Sequence, residues 1–355
     1  FFFSVSSALS AVKFFSRTIC LHDLKEDIMS NWSKRKRLEA TISDEAPDRV
    51  PVALWRHWPG DDQDAQALAA AHLKWQQDYD WDLLKVGPAS SYSVVDWGVK
   101  DEWVGHIEGT REYTHRPIQE PEDWANLQPL NPGQGMLATQ LEALRLVKEE
   151  VGDTVPVLAT IFAPLSQAKH LAGNEPMLSH MRRQPESFRQ GQETIVKSTL
   201  NFIEAARNIG IDGIFYAIQH ARYPLLSREE YEMWGRPYDH QILNAVQDLW
   251  LNMVHLHSSD VMFDLVAGYP AKLLNWHDRE TGITLAEGVK QIKGAASGGI
   301  DHWTLHQESP EQTLAEAKDA IDQTNGRRLL LGTGCVAMTT TPLRNIRALR
   351  EAVDR

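Results

Sequence analysis

From about residue 48 onward, short apolar runs alternate with stretches whose apolar positions recur every three to four residues, the pattern of strands interleaved with helices. The runs DRVPVALWRHW, WDLLKVGP, TVPVLATIFAPLS, IDGIFYAIQHA, LNMVHLHSSD, AKLLNWHD, KGAASGGIDHW and RRLLLGTGC predict eight strands. Helical spacing is found in DAQALAAAHLKWQQDYDW, residues 134–151, KHLAGNEPMLSHM, ESFRQGQETIVKSTLNFIEAARNIG, REEYEMWGRPYDHQILNAVQDLW, residues 285–292, SPEQTLAEAKDAIDQ and PLRNIRALREAV. A basic helix is predicted around residues 34–39. The stretch DEWVGHIEGTREYTHRP alternates polar and apolar residues about an EGT turn, so a β-hairpin is expected as an insertion after the second strand. Eight strands separated by helices predict an α/β fold, a single-domain (β/α)8 TIM barrel over 29–355. An open doubly wound sheet is the alternative, but no glycine-rich phosphate fingerprint follows the first strand.

The opening FFFSVSSALSAVKFFSRTICLHDLKED does not fit this alternation. It has no basic region ahead of its apolar stretch, and Met29 reads as a natural start, so 1–28 is expected to be a leader or non-native extension. A short amphipathic helix packing on the body or on a partner is the other reading. At 355 residues, 42% apolar and 24% charged, the chain has the composition of a globular protein. A net charge of −12 argues against a nucleic-acid surface and against anionic membranes, though a local arginine cluster remains compatible with an anionic substrate. No apolar run reaches the length of a membrane span. Two cysteines, Cys20 and Cys335, give no disulfide framework and suit a reducing cytoplasm.

A barrel places its chemistry at the C-terminal ends of its strands. The residues there are Arg56 and His57, Lys85, Gln167, Gln219 and His220, His255 and His257, Trp276 and His277, Asp301 and His302, and Cys335. On a strand, His255 and His257 point to the same face. With Cys335 they would form an N/N/S set of the kind that holds zinc and leaves a fourth position open. Arg56 is expected to anchor a substrate anion, with His57, Gln219 and His220 as further catalytic candidates. Trp276, His277 and Asp301 are candidates for the substrate pocket. The bland alternatives are a buried apolar role for Cys335, a surface loop for Trp276 and His277, and a helix cap for Asp301.

The segments RVPVALWRHWPG, IFAPLSQAKHLAG, HLHSSD, GGID and LLLGTGCVAMTTTPLRNIRAL, taken in order, resemble the uroporphyrinogen decarboxylase superfamily. The resemblance implies the same barrel fold. Its decarboxylase branch carries an Arg-x-x-x-Arg motif, an Asp after strand two and a His near the C-terminus. Here Arg56 matches the first arginine, but Gly60 stands at the second, Lys85-Val86-Gly87 replaces the acidic segment, and the last motif reads Gly332-Thr333-Gly334. The corrinoid-dependent methyltransferase branch carries His-x-Cys and a later Gly-Cys that bind zinc. Cys335 matches the latter, and His255-Leu256-His257 matches His-x-Cys with an imidazole in place of the thiolate. A one-residue gap would instead put His257 on the family histidine.

The resemblance therefore implies zinc as cofactor and methyl transfer between a small molecule or thiol and a corrinoid carried by a partner protein. A second copy of the chain, as a homodimer, is the other candidate partner. A metal-free decarboxylase of porphyrin metabolism, a lyase, is the first alternative. A non-catalytic barrel that binds a corrinoid or tetrapyrrole is the second.

Overall fold

In the computed structural model, residues 32–354 are described; the leader expected over 1–28 lies outside them. Ser33 caps α1 (Lys34–Ile42) by accepting from the Lys36 amide, and Asp64 caps α2 (Ala65–Tyr79) in the same way through Ala67. β1 (Leu84–Val86) follows, fully buried, and then the antiparallel pair β2 (Lys100–Glu102) and β3 (Glu112–His115), which is the expected hairpin insertion. After α3 (Gly135–Val151) come β4 (Val157–Phe162), α4 (Pro164–Ala172), α5 (Asn174–Arg183) and the long α6 (Pro185–Ile209), ended by Gly210 at φ 93°. The second half runs β5 (Gly213–Ile218), α7 (Arg228–Trp234), α8 (Arg236–Ala245), β6 (Met253–Leu256), α9 (Phe263–Val266) and β7 (Leu273–Trp276). It closes with α10 (Leu285–Gly288), β8 (Ala295–Ile300), α11 (His302–Gln307), α12 (Pro310–Thr324), β9 (Leu329–Thr333) and α13 (Leu343–Glu351).

The main sheet holds seven parallel strands in the order β1-β4-β5-β6-β7-β8-β9. Each is nearly all buried, as expected for strands covered by helices on one side and by their own interior on the other. The strand expected over 48–58 makes two isolated parallel bridges instead of a ladder, Val52 to Leu331 and Arg56 to Ala337. On the β9 side the Ala53 amide donates to the Leu331 carbonyl, and the Leu331 amide to that of Pro51. On the other side the Asp82 amide donates to the Val52 carbonyl at 3.0 Å, and the Val52 amide donates to the Asp82 carboxylate at 2.8 Å, so one of the two bonds there is made by a side chain.

Two helices differ from the sequence expectation. The long helix over 228–250 breaks at Gly235, where the Tyr231 ring fills the space a Cβ would need, 2.3 Å from its ideal position, and Pro237 restarts the helix. Tyr231 is held there because its hydroxyl, with those of Tyr216 and Tyr269, donates to the buried Asp239 carboxylate. The helix at 285–292 is a single turn closed by a Thr284–Glu287 capping box. Among the described residues no helix is long and apolar enough to cross a membrane.

α1 is fastened to the sheet through charge. Asp82, fully buried, accepts from Arg37 at 2.8 Å and from Arg49 at 2.7 Å in addition to the Val52 amide. Asp82→Ala would take one buried carboxylate away from Arg37, which keeps Asp48, and from Arg49 and the Val52 amide, so it is expected to lower unfolding stability by about 3 kcal/mol, measured by urea titration; a loss within error would show that the network adds nothing.

Candidate metal centre

Because side chains alternate along each strand, only every second residue looks into the sheet's interior. In β6 and just beyond it these are His255 and His257; after β7 it is His277, and after β9 it is Cys335. Their ligand atoms all lie within 4.8 Å of one another. The Cys335 Sγ is 3.6 Å from His257 Nδ1, and the ring centroids of the histidines are 5.6, 5.2 and 5.9 Å apart.

Neighbouring groups decide which ring nitrogens face the centre. Asn275 donates both amide hydrogens, to Ser297 O at 2.9 Å and Thr333 O at 3.0 Å, so its Oδ1 must accept from His255 Nδ1 at 2.6 Å. That fixes the tautomer and leaves the His255 Nε2 lone pair free. His277 Nδ1 is 3.3 Å from Glu280 Oε1 and its Nε2 is buried with no nitrogen or oxygen partner; burial lowers the His277 pKa, but Cys335 and Glu280 outweigh it and raise it to about 10. His302 Nε2 approaches the same Glu280 oxygen at 3.6 Å. Burial pushes the Cys335 thiol up, but the His257, His255 and His277 imidazoles outweigh it and bring the thiol well below its ordinary range. That shift favours the Cys335 thiolate, the form that ligates metals.

Three imidazoles and one thiolate match the donor types and number of a tetrahedral zinc site, and the partnerless His277 Nε2 is what such an ion would satisfy. His255, His257 and Cys335 also line a cavity of about 430 Å³, whereas His277 reaches the cluster from behind its wall. The same cavity is lined by Trp55, Phe162 and Phe215, by Lys85 and Lys169, and by Arg111, Tyr113 and Arg116 from the hairpin insertion and the turn after it.

The other residues singled out from the sequence divide by strand parity. His57 lines the cavity, its Nδ1 3.2 Å from Pro88 O, and burial followed by the Lys85 charge lowers its pKa to about 4. Gln219 lines it too, accepting from the Lys169 ammonium at 2.7 Å. Arg56 does not: its guanidinium lies over the Trp58 ring, 4.4 Å from the centroid, on the helix side. The Trp276 indole likewise faces outward, fully buried against Phe263 and donating to Ile283 O at 2.9 Å. Asp301 caps α11 by accepting from the Trp303 and Thr304 amides. His220 is buried beside Asn174, its Nε2 3.3 Å from the Asn174 Oδ1, and does not reach the cavity wall.

The family described as uroporphyrinogen decarboxylase (URO-D) matches residues 63–355. The chain belongs to that family. Among curated relatives, the methylcobamide:CoM methyltransferase MtbA of Methanosarcina acetivorans is 22% identical, over 91% of this chain and 98% of its own length. A uroporphyrinogen decarboxylase of Syntrophotalea carbinolica is 25% identical over 52% of the chain. A solved methyltransferase from Methanosarcina mazei superposes with a TM-score of 0.81 at 19% identity, covering 91% of this chain and 99% of that one, which establishes a shared fold.

Within this family member, sequence reading placed His277 in a substrate pocket and overlooked it as a fourth ligand-capable group. The signal was present, since His277 stands two residues beyond Asn275 on one strand face, level with His257 beyond His255. Lys169 and Arg116 were missed because neither ends a strand of the main sheet. Removing the amide that orients His255, in Asn275→Leu, is expected to weaken zinc binding by about 10–100-fold, measured by competition with a chromophoric chelator; unchanged affinity would show that Asn275 does not set the tautomer.

Proposed function

We propose that this protein is a metal-dependent methyltransferase of the uroporphyrinogen decarboxylase superfamily, moving a methyl group between a small molecule and a corrinoid carried by a partner protein. The seven-stranded sheet and residues 51–56 together are read as a closed (β/α)8 barrel forming one domain over 29–355. The observation that carries the functional reading is the convergence of His255, His257, His277 and Cys335 beside a small cavity, with the His255 tautomer fixed and His277 Nε2 left without a partner. Both the relatives named as methyltransferases and the shared fold support it. Zinc bound there would supply Lewis acidity, lowering the pKa of an acceptor thiol or polarising the atom that carries the methyl group.

The chain's own groups complete the site. His57 is neutral at physiological pH, and if its Nδ1–H is spent on Pro88 O, Nε2 remains as a proton acceptor. Burial holds the Lys85 ammonium at about 8, close enough to neutrality to give or take a proton. The buried Trp55 and Phe215 give the wall they share with Cys335 an apolar character. As the methyl group passes over, the bonding pair of the broken bond stays on the donor atom, a lone pair of the acceptor forms the new bond, and the proton the acceptor gives up goes to His57 or Lys85.

The decarboxylase reading finds less support. The acidic segment expected after the second strand is occupied by Lys85, and among the described residues Glu108 is the one carboxylate lining the cavity. A space of about 430 Å³, at the low end of pockets for drug-sized ligands, encloses a small molecule and only part of a tetrapyrrole. With two cysteines in 355 residues, a reducing cytoplasm is the proposed compartment.

Metal analysis of the full chain is expected to find about one zinc per chain, lost in a His257→Ala, Cys335→Ala double variant that keeps its circular dichroism. A metal-free wild type, or a double variant with undiminished metal, would overturn the centre. Methyl transfer from free methylcobalamin to a thiol is expected to disappear with the metal, and uroporphyrinogen is expected not to be decarboxylated.

A further inference from the structure

Besides Lys85, whose ammonium lies 4.7 Å over the Phe215 ring, the cavity wall carries a second group of cations. At one side stand His255, His257 and Cys335; lining it as well are Arg116 and Lys169, which belong to the stretch after the hairpin and to α4. The Lys169 ammonium has a neutral partner, the Gln219 amide oxygen, at 2.7 Å. Arg116 donates to two backbone carbonyls, Lys169 O at 3.0 Å and His170 O at 2.5 Å. Among the described residues neither cation has a carboxylate within ion-pair distance. Arg111, in the same wall, shows the contrast, because Asp62 at 3.0 Å and Asp101 neutralise it.

Two cations held side by side without a counter-ion repel each other, and burial raises that cost. Burial, and after it the Arg116 charge, lowers the Lys169 pKa to about 8. A further donor belongs to the same wall. His170, buried at 4% exposure, has no partner at Nδ1 and is kept neutral by burial and by both cations, so it can present an N–H. An ammonium, a guanidinium and an imidazole N–H gathered in one wall suit an oxyanion, which would satisfy all three.

The rest of the wall indicates what such an anion is attached to. Trp55, Tyr113, Phe162 and Phe215 line the cavity. The Tyr113 ring sits under the Arg116 guanidinium at 4.2 Å and tilts 30° against His170, which makes a flat, apolar approach to the cationic corner. We infer that the cavity takes a small aromatic acid, its carboxylate or sulfonate held by Arg116, Lys169 and His170 and its ring lodged among Trp55, Phe162 and Phe215. This names the substrate class of the site proposed above and rests on that reading only for which end of the molecule reacts.

Binding of simple probes tests it, on the full chain, both zinc-loaded and after chelation. Benzoate is expected to quench tryptophan fluorescence saturably in either state, with the neutral isostere benzamide and the aliphatic ethanesulfonate each weaker by at least about tenfold. Lys169→Met and Arg116→Gln are each expected to weaken benzoate by about tenfold or more while leaving benzamide binding, metal content and circular dichroism unchanged. Equal binding of benzoate and benzamide, benzoate binding indifferent to both substitutions, or no benzoate binding to folded protein would overturn the anion site. Ethanesulfonate binding as tightly as benzoate would overturn the aromatic part. Because these readouts are repeated without metal, failure of the metal centre leaves them standing, and their failure leaves the metal analysis standing.

Discussion

One buried amide ties the interior of the sheet to its chemistry. Asn275 sits between His255 and Ser297 in the parallel register of three neighbouring strands, and its side chain reaches a fourth strand at Thr333 O. Fully buried, it has no water to fall back on, so its two donors and one acceptor must each find protein. Once Ser297 O and Thr333 O take the donors, the acceptor has a single role left, and the orientation of His255 follows. A group that would cost stability if unpaired thus becomes the reason a ligand-capable nitrogen points at Cys335.

The same parity that aligns Asn275 with His255 governs the whole edge of the sheet. Thr160 and Phe162, then Phe215, Ala217 and Gln219, then His255 and His257, line the cavity at intervals of two residues. Their neighbours face the helices: Tyr216 donates to Asp239 in α8, and Trp276 packs on Phe263. Position at a strand end is therefore only half of what a residue needs to take part. Arg56 and His57 are adjacent in sequence yet belong to different environments, one over the Trp58 ring and the other in the cavity.

That distinction explains how much could be read in advance. The alternation of apolar runs and helical spacing was enough to locate the strands and the hairpin, because burial on both sides leaves long apolar signatures that polar segments interrupt. His255, His257 and Cys335 were legible as a set because two shared a strand face and the third was the sole cysteine outside the opening segment. Parity was not legible at 56, 276 and 301, where a polar or amphipathic residue at a strand end fits the interior, the helix side or a cap equally well. The break at Gly235 depends on where Tyr231 is drawn by Asp239, a tertiary constraint that helical spacing does not encode. Arg116 and Lys169 converge through the docking of the hairpin and α4, which lie more than fifty residues apart, as the 3.0 Å bond from Arg116 to Lys169 O shows.

The donor set also bears on what the centre favours. Thiolates are soft and push charge onto a metal, which makes a bound thiol a better nucleophile; imidazoles are neutral and leave the ion a stronger Lewis acid. Here one thiolate faces three imidazoles, and the carboxylate nearest to them, Glu280, is spent on His277 and His302. A metal held by such a set would be a stronger Lewis acid than one held by several thiolates, able to act on an acceptor thiol or on an oxygen-bound methyl group. The surrounding cavity agrees in sign, since Lys85, Arg116 and Lys169 add positive charge where a departing anion would need it. The −12 charge of the chain is therefore carried outside this wall, in which Glu108 is the one carboxylate among the described residues.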